Sequence, residues 1–132
     1  MSLKSILDHD RVRKIEGSFS WIDHRFITGG FLQDLSTIEI LLYLFLVAVS
    51  DRHGLSFYHD DRICTILKIP LPALGEAREG LTLRSLIAYE PPLYQVLSLP
   101  PHPLTPPTKE EIREKQREKN LYYIRKIREA LQ

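Results

Sequence analysis

The chain has 132 residues, 43% hydrophobic and 27% charged, which fits one soluble domain with a real core and an appendage at most. Its formal net charge of +1 is unevenly placed: residues 1 to 107 hold 10 Lys+Arg against 12 Asp+Glu, and residues 108 to 132 hold 8 against 5. One cysteine, Cys64, excludes an intramolecular disulfide and a cysteine zinc cluster.

Residues 1 to 17 show weak helical patterning, with Leu3, Ile6, Leu7, Val12 and Ile15 spaced by three to five. Asp8 and Asp10 stand where a signal peptide needs an apolar core, so the expectation is a cytoplasmic chain. Phe19, Trp21, Ile22, Phe26, Ile27 and Phe31 then crowd a loop-like stretch, as a segment packed over a core does. Gly29-Gly30 marks a turn.

Ser36-Thr37-Ile38-Glu39 spells a capping box, with Leu35 and Ile40 at the staple positions. The helix it opens runs to about Ser50 and is apolar on nearly every side, which predicts a buried central helix. The apolar run Ile40 to Val49 is about half a membrane span, so no membrane partner is expected. Asp51-Arg52-His53-Gly54 ends it, with Gly54 suited to a positive φ. Leu55 to His59 reads as a short strand.

Asp60 or Asp61 can cap a second helix that turns Ile63, Ile66 and Leu67 inward. Cys64 lies in this apolar run as a small core residue rather than a nucleophile. Pro70 keeps Ile69 out of α geometry and opens a third helix. Leu71, Leu74, Arg78 and Leu81 form its inner stripe, with Ala77 beside it. Leu86 to Glu90 and Leu93 to Leu99 read as two strands around Pro91-Pro92, prolines that oppose a tight primed turn and blunt the hairpin edge. Residues 100 to 107 contain five prolines and form a stiff linker. Thr108 can cap a last helix over 108 to 132, polar at first and then carrying Leu121, Ile124, Ile127 and Leu131 at helical spacing.

The order of these elements is that of a winged helix-turn-helix: α+β, mostly α, with a small three-stranded antiparallel sheet and a C-terminal helical extension. Residues 18 to 99 resemble the winged-helix domains of plasmid and phage replication initiators and of uncharacterised bacterial mobile-element-associated proteins. The resemblance rests on Phe31-Leu32, Leu35-Ser36, Leu41-Leu42-Tyr43-Leu44 and the Asp51-to-Gly54 turn with Ser56-Phe57 after it. Leu67 to Pro70, Leu74, Ala77, Leu81 and Ser85-Leu86-Ile87 extend it. The stretches Phe19 to Arg25 and Tyr94 to Leu97 also resemble those proteins. It implies double-stranded DNA as partner and a role in replication or mobile DNA. The chain departs from the family pattern at Arg78, where an inward apolar residue is usual, and at Lys68, where Gly is common.

In such a fold the second helix of the pair lays its N-terminal residues along base edges. Here the outward positions are Pro72, Ala73, Glu76, Glu79, Gly80 and Leu83, none of them basic. The cations left for DNA are Arg52, Arg62, Lys68, Arg78 and Arg84. Arg78 has a second reading: a pair with Asp61 or Glu79, or a stem run over Leu74. The whole domain has one too, as a protein-interaction adaptor without DNA. Asp8-His9-Asp10, Asp23-His24 and His59-Asp60-Asp61 lack metal-ligand spacing, and no P-loop, nucleophile elbow or catalytic carboxylate pair is present. The expectation is a non-enzymatic protein with no cofactor, metal or small-molecule substrate. Leu121, Tyr123, Ile124, Ile127 and Leu131 are the candidate contacts of a homodimer.

Overall fold

A computed structural model describes residues 4 to 106 and 109 to 131. Close to half of them are helical, and the strands make one three-stranded antiparallel sheet. The elements are α1 (Arg25–Thr28), α2 (Thr37–Val49), β1 (Leu55–Phe57), α3 (Asp60–Leu67), α4 (Leu71–Leu83), β2 (Ile87–Glu90), β3 (Leu93–Val96) and α5 (Lys109–Ala130). The sheet order is β1-β3-β2, with Ser56 opposite Tyr94 and Tyr89 opposite Tyr94. The strands are each shorter than the sequence pattern suggests.

Local chemistry sets most boundaries. Ser36 Oγ accepts from the Glu39 amide at 3.2 Å, and Glu39 Oε1 accepts from the Ser36 amide at 2.8 Å, closing the capping box of α2. Gly54 takes φ 84° in the turn to β1, where a Cβ would strike the Val96 carbonyl oxygen. The cap of α3 is His59, not Asp60 or Asp61. Both acids lie inside the first turn, where the helix dipole favours them. α3 ends on Lys68 at φ 58°, ψ 47°, so a lysine occupies the left-handed position that glycine takes without steric cost. α4 ends in a Schellman motif: the Leu86 amide donates to the Leu81 carbonyl and the Ser85 amide to that of Thr82, with Leu81 and Leu86 both buried. Pro91-Pro92, joined by a cis peptide, make a two-residue turn all the same, with Glu90 opposite Leu93.

The core gathers Leu42, Leu46, Ile63, Leu74, Leu81, Leu86, Ile87 and Tyr94 between α2, α3, α4 and the sheet. Phe26 stacks on Tyr43 at 4.5 Å between ring centroids, so the strap before α2 covers one side of it. Several expectations need correction. Of the crowded stretch before α2 only Phe26 and Phe31 are buried, while Phe19, Trp21, Ile22 and Ile27 are exposed, and Ile66, expected inward on α3, is exposed too. α2 is not buried on every side: Leu41 and Leu44 are 40% and 44% exposed and Ala48 lies beside them, because among the described residues no helix or strand covers that face. Leu71 is exposed, since the first turn of α4 overhangs the core edge. The segment from 4 to 17 holds one 3-10 turn, His9–Arg11, and no α-helix. Its Ile6, Leu7, Val12 and Ile15 are exposed, and a lone amphipathic stretch without a docking surface has too little burial to offset chain entropy. Leu3 and Thr108 lie outside the described residues.

Candidate nucleic-acid interface

The candidate interface is the corner formed by α3, the turn through Lys68 and α4, with the β2–β3 hairpin adjoining it. Leu74, Ala77 and Leu81 anchor α4 in the core. Its exposed row is Leu71, Pro72, Glu76, Glu79, Thr82 and Leu83, with Ala73 and Gly80 half-buried. The row has two carboxylates and no cation.

Arg78 turns inward. Its Nη1 donates to Asp60 Oδ1 at 2.7 Å and to the Tyr94 hydroxyl at 2.8 Å, and its guanidinium lies 4.2 Å from the centre of the Tyr89 ring. The partner is therefore Asp60, rather than Asp61 or Glu79. Burial works against the guanidinium charge, but the bonds to Asp60 and Tyr94 outweigh it and hold the proton more firmly than usual. Burial also pushes the Tyr94 hydroxyl up, against the opposing pull of Arg78. One side chain thus ties the start of α3, the middle of α4 and both hairpin strands into a fixed geometry.

Arg84 is likewise spent inside. Its Nη1 donates to Glu39 Oε2 at 2.7 Å and its Nη2 to the Asp34 carbonyl at 3.0 Å, while its Nε is buried without a partner among the described residues. This contact clamps the end of α4 to the start of α2. Sequence spacing did not expose it, although a capping-box glutamate has one carboxylate oxygen left over.

Arg52, Arg62 and Lys68 are the candidates that stay exposed, and none makes an ion pair among the described residues. Arg52 sits in the turn after α2, Arg62 in the first turn of α3, and Lys68 at the corner itself. Asp51, beside Arg52, accepts from the Leu55 amide at 2.9 Å and the His53 amide at 2.8 Å, and these backbone bonds hold its carboxyl below the usual range. Asp23 does the same for α1, accepting from the Arg25 amide at 2.8 Å. Among the described residues no three His, Cys, Asp or Glu side chains come together as a metal site, and no helix is long and apolar enough to cross a membrane.

Every described side chain of α5 from Glu110 onward is exposed, including Leu121, Tyr123, Ile124, Ile127 and Leu131. No family model matches the chain, and neither does any curated protein or solved structure.

Proposed function

We propose that residues 18 to 99 form a winged helix-turn-helix that binds double-stranded DNA, in a non-enzymatic accessory or regulatory protein of replication or mobile DNA. The observation that carries this reading is topological. A helix, a strand, two helices and a hairpin follow in that order, the sheet runs β1-β3-β2, and α4 presents an open face next to the hairpin. The cations for phosphate contact are then Arg62 and Lys68 at the corner and Arg52 in the preceding turn, with the basic α5 adding attraction. Arg78 and Arg84 keep α4 and the hairpin in register instead of touching DNA. The active form is a homodimer joined through Leu121, Tyr123, Ile124, Ile127 and Leu131.

A second reading is an adaptor that keeps the fold without DNA, and one observation favours it: the open face of α4 carries Glu76 and Glu79 and no exposed cation. Titration of duplex DNA at several salt concentrations separates the two. The DNA reading expects affinity that falls steeply with salt. Arg62→Ala and Lys68→Ala should each flatten the logarithmic salt slope by about 1, as loss of one phosphate contact does. No binding at low ionic strength leaves the adaptor.

A further inference from the structure

Among the described residues, two apolar helix faces are uncovered. On α2, Thr37, Leu41, Leu44 and Ala48 follow at four, three and four residues and line one exposed stripe, flanked by the half-buried Ile40 and Phe45. It carries no charge and is about 16 Å long at 1.5 Å per residue. On α5, Leu121, Ile124, Ile127 and Leu131 with Tyr123 lie on one half of the helix circumference, where Arg128 sits between Leu121 and Ile124, while Arg125, Lys126 and Glu129 occupy the other half. That stripe is about 15 Å long. The two faces match in length and in chemistry, and their carriers differ in sign: residues 1 to 107 have 10 Lys+Arg against 12 Asp+Glu, residues 108 to 132 have 8 against 5.

We propose that the apolar half of α5 lies on the exposed face of α2 in a second copy, and that the second copy returns the contact. This rests on the homodimer reading above and gives it a docking face. A second copy suits the geometry better than the same chain. Arg25 holds the start of the linker, donating to the Leu99 carbonyl at 3.3 Å and the Pro100 carbonyl at 3.4 Å. Arg25 opens α1, which packs through Phe26 on Tyr43. Tyr43 is about 130° round α2 from the centre of the stripe, at 3.6 residues per turn. The chain therefore departs from the far side of α2. Leu121 lies about 18 Å along α5, beyond a first half that is polar and offers the domain no apolar contact except Ile112. Exchange also counts the contact twice, which matters because specific interfaces bury about 1,200–2,000 Å² and a single stripe of this length is short of that.

The test is cross-linking between differently marked full-length chains, both carrying Cys64→Ala. One has Leu44→Cys and the other Ile127→Cys. After mixing and mild oxidation, the expected product is a disulfide-linked pair with one chain of each kind, identified by intact mass. In sedimentation equilibrium, Leu44→Glu should weaken the dimer at least tenfold with an unchanged far-UV circular dichroism spectrum, because that side chain is already half exposed. Cross-links only between two Ile127→Cys chains would mean that α5 pairs with α5: the docking face is then wrong and the homodimer stands. A Leu44→Cys, Ile127→Cys double variant that cross-links within one chain overturns the exchange. An unmodified protein that sediments as a monomer at tens of micromolar removes the homodimer and the docking face together.

Discussion

Glu39 divides its carboxylate between two tasks. Oε1 closes the capping box at the start of α2, and Oε2 receives Arg84 from the end of α4. Gly80 lies against that carboxylate, so closely that a Cβ there would overlap Oε2. Alanine is a better helix former than glycine by about 1 kcal/mol. Gly80→Ala should nevertheless destabilise the protein by about 1–3 kcal/mol in urea unfolding, because the carboxylate is held from both sides and the added methyl overpacks it. A gain in stability would mean that the Glu39 carboxylate is free to move. Asp51 supports a pH prediction. Its carboxyl lies below the ordinary 3.8, so the folded state favours the charged form. The stabilisation is therefore full above that value and is lost as pH falls through the depressed folded value. Asp51→Asn should flatten the loss of stability below about pH 4 in thermal melts.

At the scale of elements, the corner between α3 and α4 turns on a lysine. Lys68 sits at φ 58° with its side chain in solvent, and a left-handed conformation costs a non-glycine residue about 1–2 kcal/mol. Part of that is returned as backbone entropy when glycine takes the position, so Lys68→Gly should raise stability by about 0.5–1 kcal/mol. The same substitution removes a cation from the corner proposed to contact DNA, so the expected signature under that proposal is a higher melting temperature together with a weaker salt slope. The position stood out in the sequence because the winged-helix domains that residues 18 to 99 resemble commonly have glycine there. Other features were legible for the same reason: their partners are close along the chain. The capping box spans Ser36 to Glu39, and Pro70 acts on Ile69 and on the helix it opens. Long-range pairing was not legible. Arg78 meets Asp60, 18 residues away, and Arg84 meets Glu39, 45 residues away; several acids were chemically equivalent choices for each. The open face of α2 was hidden too. An all-apolar helix records that burial is favourable but not how many neighbours the fold provides, and here α1, α4 and the sheet leave Leu41 and Leu44 bare.

Across the whole molecule, two inward arginines divide the work of assembly. Arg78 joins α3, α4 and the hairpin, and Arg84 joins α4 to α2, so α4 is fastened at its middle and at its end. The cations that remain for a polyanion lie at the corner between α3 and α4, in the turn after α2 and, beyond the linker, along α5. Duplex binding would then draw much of its salt sensitivity from α5. The clamp at Glu39 has a consequence for descent as well. Loss of Arg84 would leave a buried carboxylate unmatched, loss of Glu39 would strand a guanidinium, and any side chain at position 80 would displace both. Ser36, Glu39, Gly80 and Arg84 therefore form one heritable character spread over two helices of the chain. In diverging lineages the charged pair should disappear in a single step, and only after it has gone should position 80 become free to vary.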